Sequence, residues 1–393
     1  MKMNSLHVFL ILSLLIPVPA YTQVAESESF GDVAKRLKAA INDVVVLKID
    51  KSMIAISPSY QGRIFTSTTN GNKGKSRGWI NWELIDSGKH KDSFAYLGGE
   101  SRFWLAPEFG SFSIFFDPGK EMTVENMRAP RDLDSKKFLR TSQSDCEVSS
   151  KGTLKIINAS GFSFDCGVER KVILHSKKEI ESDLKISLPV SINYVAFSAE
   201  TILKNIGLKA WEKDTGLLSI WELGCMLTSP RNRVIIPVEN EIHPVKSYFS
   251  KAFNKEELVV KDNIVYFKAD GSDLGKLGIS PKHTKNVMGS YSPELNLLNI
   301  VKFSFNNDDL YVNSFPGNMS PYSGDVINIF NGEVNKEKNY NWPFYEFESS
   351  SSTKELQVDE EIYHKQTLYH FEGTKEELAK ISKVILGADI IRF

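Results

Sequence analysis

The rhythm of the middle of this 393-residue chain constrains its fold most. Residues 153–157, 162–166, 170–175, 184–189 and 194–203 are short β-branched or aromatic runs, spaced fairly regularly between turn-forming residues. Residues 217–223 and 234–238 are more continuously apolar and read as central strands. Residues 44–49, 53–56 and 63–68 are further short strand candidates, and Asn70 to Gly74 is a loop by composition. Strands do not alternate with helices, which disfavours a doubly wound α/β sheet. No short-period repeat and no Pro-rich or Gly/Ser-rich linker divides the chain. The expectation is an all-β fold, a large sandwich of two antiparallel sheets. Apolar Val33, Leu37, Ala40 and Ile41 at helical spacing predict one peripheral helix over 30–42, capped by Gly31-Asp32. The amphipathic 375–386 predicts a second, packed on the outside of a sheet.

Two ends of the chain carry local information of another kind. Lys2, the apolar run 8–16 and Val18-Pro19-Ala20 have the layout of a secretory signal peptide over 1–20. The reading is therefore one domain over 21–393 of an exported protein, periplasmic or extracellular, with no membrane attachment once the signal is removed. A formal net charge of -1 gives no electrostatic reason to expect nucleic acid as a partner. Cys146 and Cys166 flank a strand pair around Asn158 to Gly161 and either close a disulfide or stay free; Cys225 reads as a buried thiol. None of the three has metal-ligand spacing, and Asp270-Gly271-Ser272-Asp273 lacks a full calcium loop and reads as a turn. Neither a metal nor a cofactor is implied.

Near the C-terminal end, Tyr345, Glu346, Phe347 and Glu348 alternate aromatic and acidic, which is the period of a strand. Both carboxylates then project from one face and both rings from the other. Two acids on one face raise each other's pKa unless something cationic or polar answers them. One reading places Glu346 and Glu348 in a polar groove as catalytic groups; the other leaves them on an outward surface. In the N-terminal half, Gly98-Gly99-Glu100-Ser101-Arg102-Phe103-Trp104 leads into Pro107-Glu108, setting hydrogen-bonding groups beside an aromatic plate. A pyranose needs that mixture, an apolar face to stack and a rim of hydroxyls to bind. The alternative is a hairpin in which Arg102 pairs structurally with Glu100 or Glu108.

These segments also resemble a known group. Phe347-Glu348-Ser349, followed by Leu356, Glu360, Tyr363, Thr367, Tyr369 and Phe371, is similar to the closing motif of the aldose 1-epimerase (galactose mutarotase) superfamily, with Asp359 where that motif has glycine. The resemblance implies a galactose mutarotase-like β-supersandwich and puts the catalytic base at Glu348. Gly98-Gly99 through Pro107-Glu108, with Tyr60 to Arg63, Gly78 to Asn81, Gly289 to Tyr291, Tyr311 to Ser314 and Gly324 to Asn328, resembles a family of secreted Gram-negative bacterial proteins of unknown function with that fold. The superfamily's acid is a histidine midway along; the corresponding stretch here, Ile220 to Met226, contains none. His243 and His283 are loop candidates, and His364 and His370 lie in the closing strand.

Sugar-ring opening needs a base on the anomeric hydroxyl and an acid at the ring oxygen. The candidate function is a carbohydrate-binding or carbohydrate-processing protein: an epimerase, or a lyase or hydrolase using carboxylates. Glu348 and Glu346 are the candidate catalytic pair. Arg102, Glu100, Trp104, Glu108, Trp79, Asn81, Trp221, Glu222 and His370 are the candidate ligand contacts. The competing readings are a non-catalytic sugar binder and a structural or partner-binding sandwich. Each tryptophan is either a stacking plate or core packing.

Overall fold

The computed structural model describes residues 28–88, 96–249, 252–316, 320–335, 337 and 340–392; the expected signal peptide lies outside them. Among the described residues the strands form three sheets, antiparallel throughout their paired strands. The largest has ten strands, in the order Leu258–Lys261, Ile264–Lys268, Arg233–Pro237, Val287–Ser292, Leu297–Phe303, Glu361–Glu372, Asn193–Asn205, Ser163–Leu174, Glu147–Ile157 and Leu139–Gln143. The second has seven: Lys246–Ser247, Ser272–Ile279, Ile327–Asn335, Phe344–Ser350, Ser219–Leu227 and Arg102–Ala106, with Tyr340–Asn341 beside Ile327–Asn335. A three-stranded sheet of Val45–Ile49, Ser52–Ser57 and Arg63–Thr68 completes the set.

The expected all-β sandwich of two large antiparallel sheets is the architecture observed. The main core lies between the large sheets, where Tyr345, Phe347, Ile327, Ile329, Leu277 and Ile279 of the seven-stranded sheet meet Phe197, Leu368, Val234 and Met288 of the ten-stranded one. Full burial of each aliphatic or aromatic side chain contributes about 1.5–3 kcal/mol. Ile54, Ile56 and Ile64 of the small sheet extend the same core.

The helices lie outside the sheets, as their sequences require. Phe30–Ala40 is capped by Ser29, whose side chain accepts from Asp32 N, and it lays Phe30, Val33 and Leu37 on Met53, Ala55 and Phe65. Lys375–Ile385 begins with a reciprocal Thr374–Glu377 capping box and packs Leu378 and Ile381 against Ile300 and Phe371 on the outer face of the ten-stranded sheet. Among the described residues no helix is long and apolar enough to cross a membrane.

Two local expectations need correction, and one open alternative is resolved. Residues 170–175 are not a separate strand; they complete Ser163–Leu174. Residues 184–189 are not a strand either. The segment ends the helix Lys177–Leu184, capped by a Ser176–Glu179 box, whose buried side chains are Ile180 and Leu184. Cys146 and Cys166 are free thiols. The hairpin register sets Leu154 opposite Cys166, while Cys146 O accepts from Leu174 N at the far end of the hairpin.

Candidate functional site

Alternation along Phe344–Ser350 divides its seven buried residues between two faces. Tyr345 and Phe347 point into the core. Phe344, Glu346 and Glu348 point outward, where register assembles their neighbours. Arg102, Leu223, Glu348 and Asn328 form one row across four strands. Cys225, Glu346, Phe330 and Lys276 form the next. The outer face of the seven-stranded sheet therefore carries two cations and two carboxylates at its centre.

Each charge on this face has a specific partner. Arg102 Nη2 donates to Glu346 Oε1 at 2.9 Å, and Cys225 Sγ donates to the same oxygen at 3.0 Å. The Arg102 guanidinium also sits 4.2 Å over the Trp104 ring and 5.7 Å from that of Tyr96. Lys276 Nζ lies 3.2 Å from Glu348 Oε2 and 3.3 Å from Glu108 Oε2, over the rings of Trp221 and Tyr248. Trp221 Nε1 donates to Glu348 Oε2 at 3.1 Å. Beyond Lys276, Asp325 accepts from Tyr248 Oη at 2.8 Å and from Lys246 Nζ at 3.2 Å. Gly278 makes room for this last group, since a Cβ there would stand 2.3 Å from Asp325 Oδ2 and 2.7 Å from the Tyr248 ring.

Burial sets the electrostatics. Glu348 is 1 % exposed, and burial raises its carboxyl to about 7, with Lys276 opposing the rise and Glu346 and Glu108 adding to it. Burial pulls the Lys276 ammonium down, but Glu108, then Glu348 and Glu346, outweigh that and leave it above its ordinary value. Arg102 behaves alike: desolvation works most strongly against its charge, and Glu346 together with the smaller effects of Cys225, Tyr96 and Glu348 leaves it above its ordinary value. Burial and Glu346 push the Tyr96 hydroxyl well up, so it stays neutral. One feature stands out chemically. Glu348 Oε1 is buried and has no hydrogen-bond partner among the described residues.

Of the expected site residues, the structure brings Glu346, Glu348, Arg102, Trp104, Trp221 and Glu108 together on this face. Trp79 stacks on Phe344 with ring centroids 4.3 Å apart, at the aromatic end of the same face beside Tyr96 and Trp342. Asn81 is one step removed. Its side chain accepts from Leu84 N to cap the short helix Trp82–Ser87 and donates to Tyr96 O at 2.9 Å, so it fixes the segment carrying Tyr96.

Glu222, Glu100 and His370 are not on this face, and the expectation for them is corrected. Glu222 lies between the sheets in a bidentate pair with Arg170 at 2.6 and 2.7 Å and accepts also from Ser101 Oγ. Glu100 accepts from Ser67 N and Ser67 Oγ, and His370 Nε2 lies 2.7 Å from its Oε2. His370 Nδ1 meets Asn299 Oδ1 at 2.6 Å, so its ring is held on both sides within the core. His364, also between the sheets, lies against Ser349 and Ser304, and burial, then Arg170, lowers it to about 3. Among the described residues no histidine is bonded to a residue of the outer face.

Sequence reasoning did not single out Lys276, Tyr248, Lys246 or Asp325 for this face. Lys276 had a signal: Gly275-Lys276-Leu277-Gly278 places one lysine among glycines inside an otherwise apolar strand run. Such a lysine is either at a solvated edge or held by carboxylates. No group of three or more metal-ligating side chains occurs among the described residues.

No curated protein matches the chain. Several solved structures are similar to it. A protein of Synechocystis sp. PCC 6803 (Slr1438) has 10% identity and a TM-score of 0.49, covering 83% of this chain and 95% of its own. A candidate aldose 1-epimerase from Escherichia coli K12 has 10% identity and a TM-score of 0.48, covering 83% and 98%. A galactose mutarotase-like protein from Lactobacillus casei ATCC 334 has 11% identity and a TM-score of 0.47, covering 83% and 99%. A family model matches residues 28–392, a span that takes in every residue the structure describes, and by that match the chain belongs to the family of unknown function DUF6786.

Proposed function

We propose that this protein binds a carbohydrate on the outer face of the seven-stranded sheet and that Glu348 moves a proton there. The observation carrying this reading is the buried Oε1 of Glu348, which has no hydrogen-bond partner among the described residues. A buried acceptor without a donor costs about 1–3 kcal/mol, and a ligand hydroxyl offsets that cost. A carboxyl raised to about 7 suits a group that takes and returns a proton near neutral pH. Glu346 is spoken for by Arg102 and Cys225, so of the two expected catalytic carboxylates Glu348 is the reacting one and Glu346 an anchor. Arg102 holds Glu346 through Nη2, while its buried Nε has no hydrogen-bond partner among the described residues and is a further donor for the ligand. The half-buried rings of Trp79, Tyr96 and Trp342 offer the apolar surface that a pyranose stacks on. The resemblance of Phe347-Glu348-Ser349 to the superfamily's base motif supports the same assignment. The layout of residues 1–20 supports export, which N-terminal sequencing of the mature protein tests.

A second reading, a non-catalytic sugar binder, is favoured by one observation: no described histidine contacts the face to serve as acid. A panel of sugars separates the two, with binding read by calorimetry and anomer exchange by NMR. Under the catalytic reading the wild type exchanges anomers of a bound sugar, and Glu348→Gln binds it but loses exchange. Binding without exchange in both proteins establishes the second reading. No binding by any sugar overturns both.

A further inference from the structure

Glu348 is held on one side only. Its Oε2 accepts from Trp221 Nε1 at 3.1 Å and from Lys276 Nζ at 3.2 Å, while Oε1 accepts nothing among the described residues. Lys276 in turn is shared, with Glu108 Oε2 at 3.3 Å. Its side chain is 7 % exposed, so the ammonium has lost most of its hydration and depends on these two carboxylates. Three separate elements meet at this one nitrogen: the strand Ser272–Ile279, the strand Phe344–Ser350 and the segment that follows Arg102–Ala106.

We infer that Lys276 is a positioning residue, which fixes Oε2 of Glu348 so that Oε1 meets the ligand, and that Glu108 sets how much of the Lys276 charge Glu348 receives. The inference rests on the reading above for the identity of the ligand, and on the geometry alone for the link among Lys276, Glu108 and Glu348. The other charged groups around Glu348 are already committed: Glu346 to Arg102, and Asp325 to Lys246 and Tyr248, with Tyr96 neutral beside Arg102. Lys276 and Glu108 are thus the pair whose removal acts on Glu348 with opposite signs. Without the ammonium, the buried Glu348 carboxylate faces the partly exposed one of Glu108 with no cation between them, and Glu348 holds its proton to higher pH. Without the Glu108 charge, a repelling group is gone and Lys276 turns wholly to Glu348, which then releases its proton at lower pH.

The test is a carboxyl 13C NMR titration of the full chain labelled at glutamate, with the Glu348 signal identified by its absence in Glu348→Gln. Lys276→Met is expected to raise the Glu348 midpoint by about one pH unit or more, and Glu108→Gln to lower it. An unchanged or lowered midpoint in Lys276→Met, or shifts of the same sign in both variants, overturns the inference. If Lys276→Met does not fold, Lys276→Arg takes its place: it is expected to stay near the wild-type midpoint while Glu108→Gln falls, and a Glu108→Gln midpoint that stays or rises overturns the inference. The titration contains no sugar, so its failure is distinct from failure of the carbohydrate reading, which the sugar panel decides.

Discussion

Arg102 and Glu346 stand 244 positions apart in the sequence and 2.9 Å apart on the outer face of the seven-stranded sheet. Both side chains are almost fully buried, at 2 % and 4 % exposure. Removing one partner strands a buried charge, so Arg102→Met and Glu346→Gln are each expected to destabilise the fold by about 3–5 kcal/mol. The double variant is expected to lose less than the two losses combined, because neither charge is left alone. Urea denaturation of the four proteins checks this; simple additivity contradicts the pairing.

Glu348 gives a pH signature with a definite sign. Its carboxyl is raised in the folded state from 4.5 to about 7, so the folded protein binds the proton more tightly than the unfolded chain. The associated stability is fully present below about pH 4.5 and is lost as pH rises through about 7. Over that window the loss is on the order of 3 kcal/mol. Glu348→Gln is expected to lack this loss, so that its stability relative to wild type rises by about that amount from pH 4 to 8, which denaturation midpoints of the two proteins read directly.

His364 works in the opposite direction. Burial between the sheets, then Arg170, lowers it from 6.5 to about 3, so the unfolded chain binds the proton more tightly. Its contribution is complete above pH 6.5 and is lost as pH falls toward 3, at roughly 1.4 kcal/mol per pH unit. His364→Gln is expected to lose stability at neutral pH, where its Ser349 and Ser304 contacts are disturbed, yet to fall less steeply on acidification.

These two residues also show what the sequence made legible. Glu346 and Glu348 were readable as a same-face pair because their parity belongs to one strand, and period 2 needs no tertiary information. Trp221 and Glu222 show the limit. Residue type alone places both in one groove, although adjacent residues of a strand face opposite ways: Trp221 reaches Glu348 and Glu222 reaches Arg170. Which of the two faces outward depends on register against Arg102–Ala106 and Phe344–Ser350, and that is set across more than a hundred positions. The role of Lys276 has the same origin, since its partners Glu108 and Glu348 come from distant segments. The helix Lys177–Leu184 is a different case: its Ser176–Glu179 capping box is visible in the sequence, but only Ile180 and Leu184 are buried, too few to mark a helical stripe.

The cysteines provide a chemical check on the hairpin register. Cys166 and Cys225 are buried and their thiols are pushed up by desolvation, while Cys146 is half-buried. Thiol titration in denaturant without reductant is expected to count three thiols per chain, with Cys166 and Cys225 unreactive in the native protein. A count of one would mean a Cys146–Cys166 bridge and a different register from the one observed.

The most direct measurement of the carbohydrate assignment uses the indole N–H groups as local reporters. Trp221 Nε1 donates to Glu348 on the outer face, whereas Trp211 packs edge-on against Phe164 of the ten-stranded sheet. In a two-dimensional 15N NMR titration of the full chain with sugars, a ligand at Glu348 is expected to move the Trp221 indole signal and leave that of Trp211 in place. A sugar that moves Trp211 and not Trp221, or a panel in which no sugar moves Trp221, contradicts a carbohydrate site at Glu348.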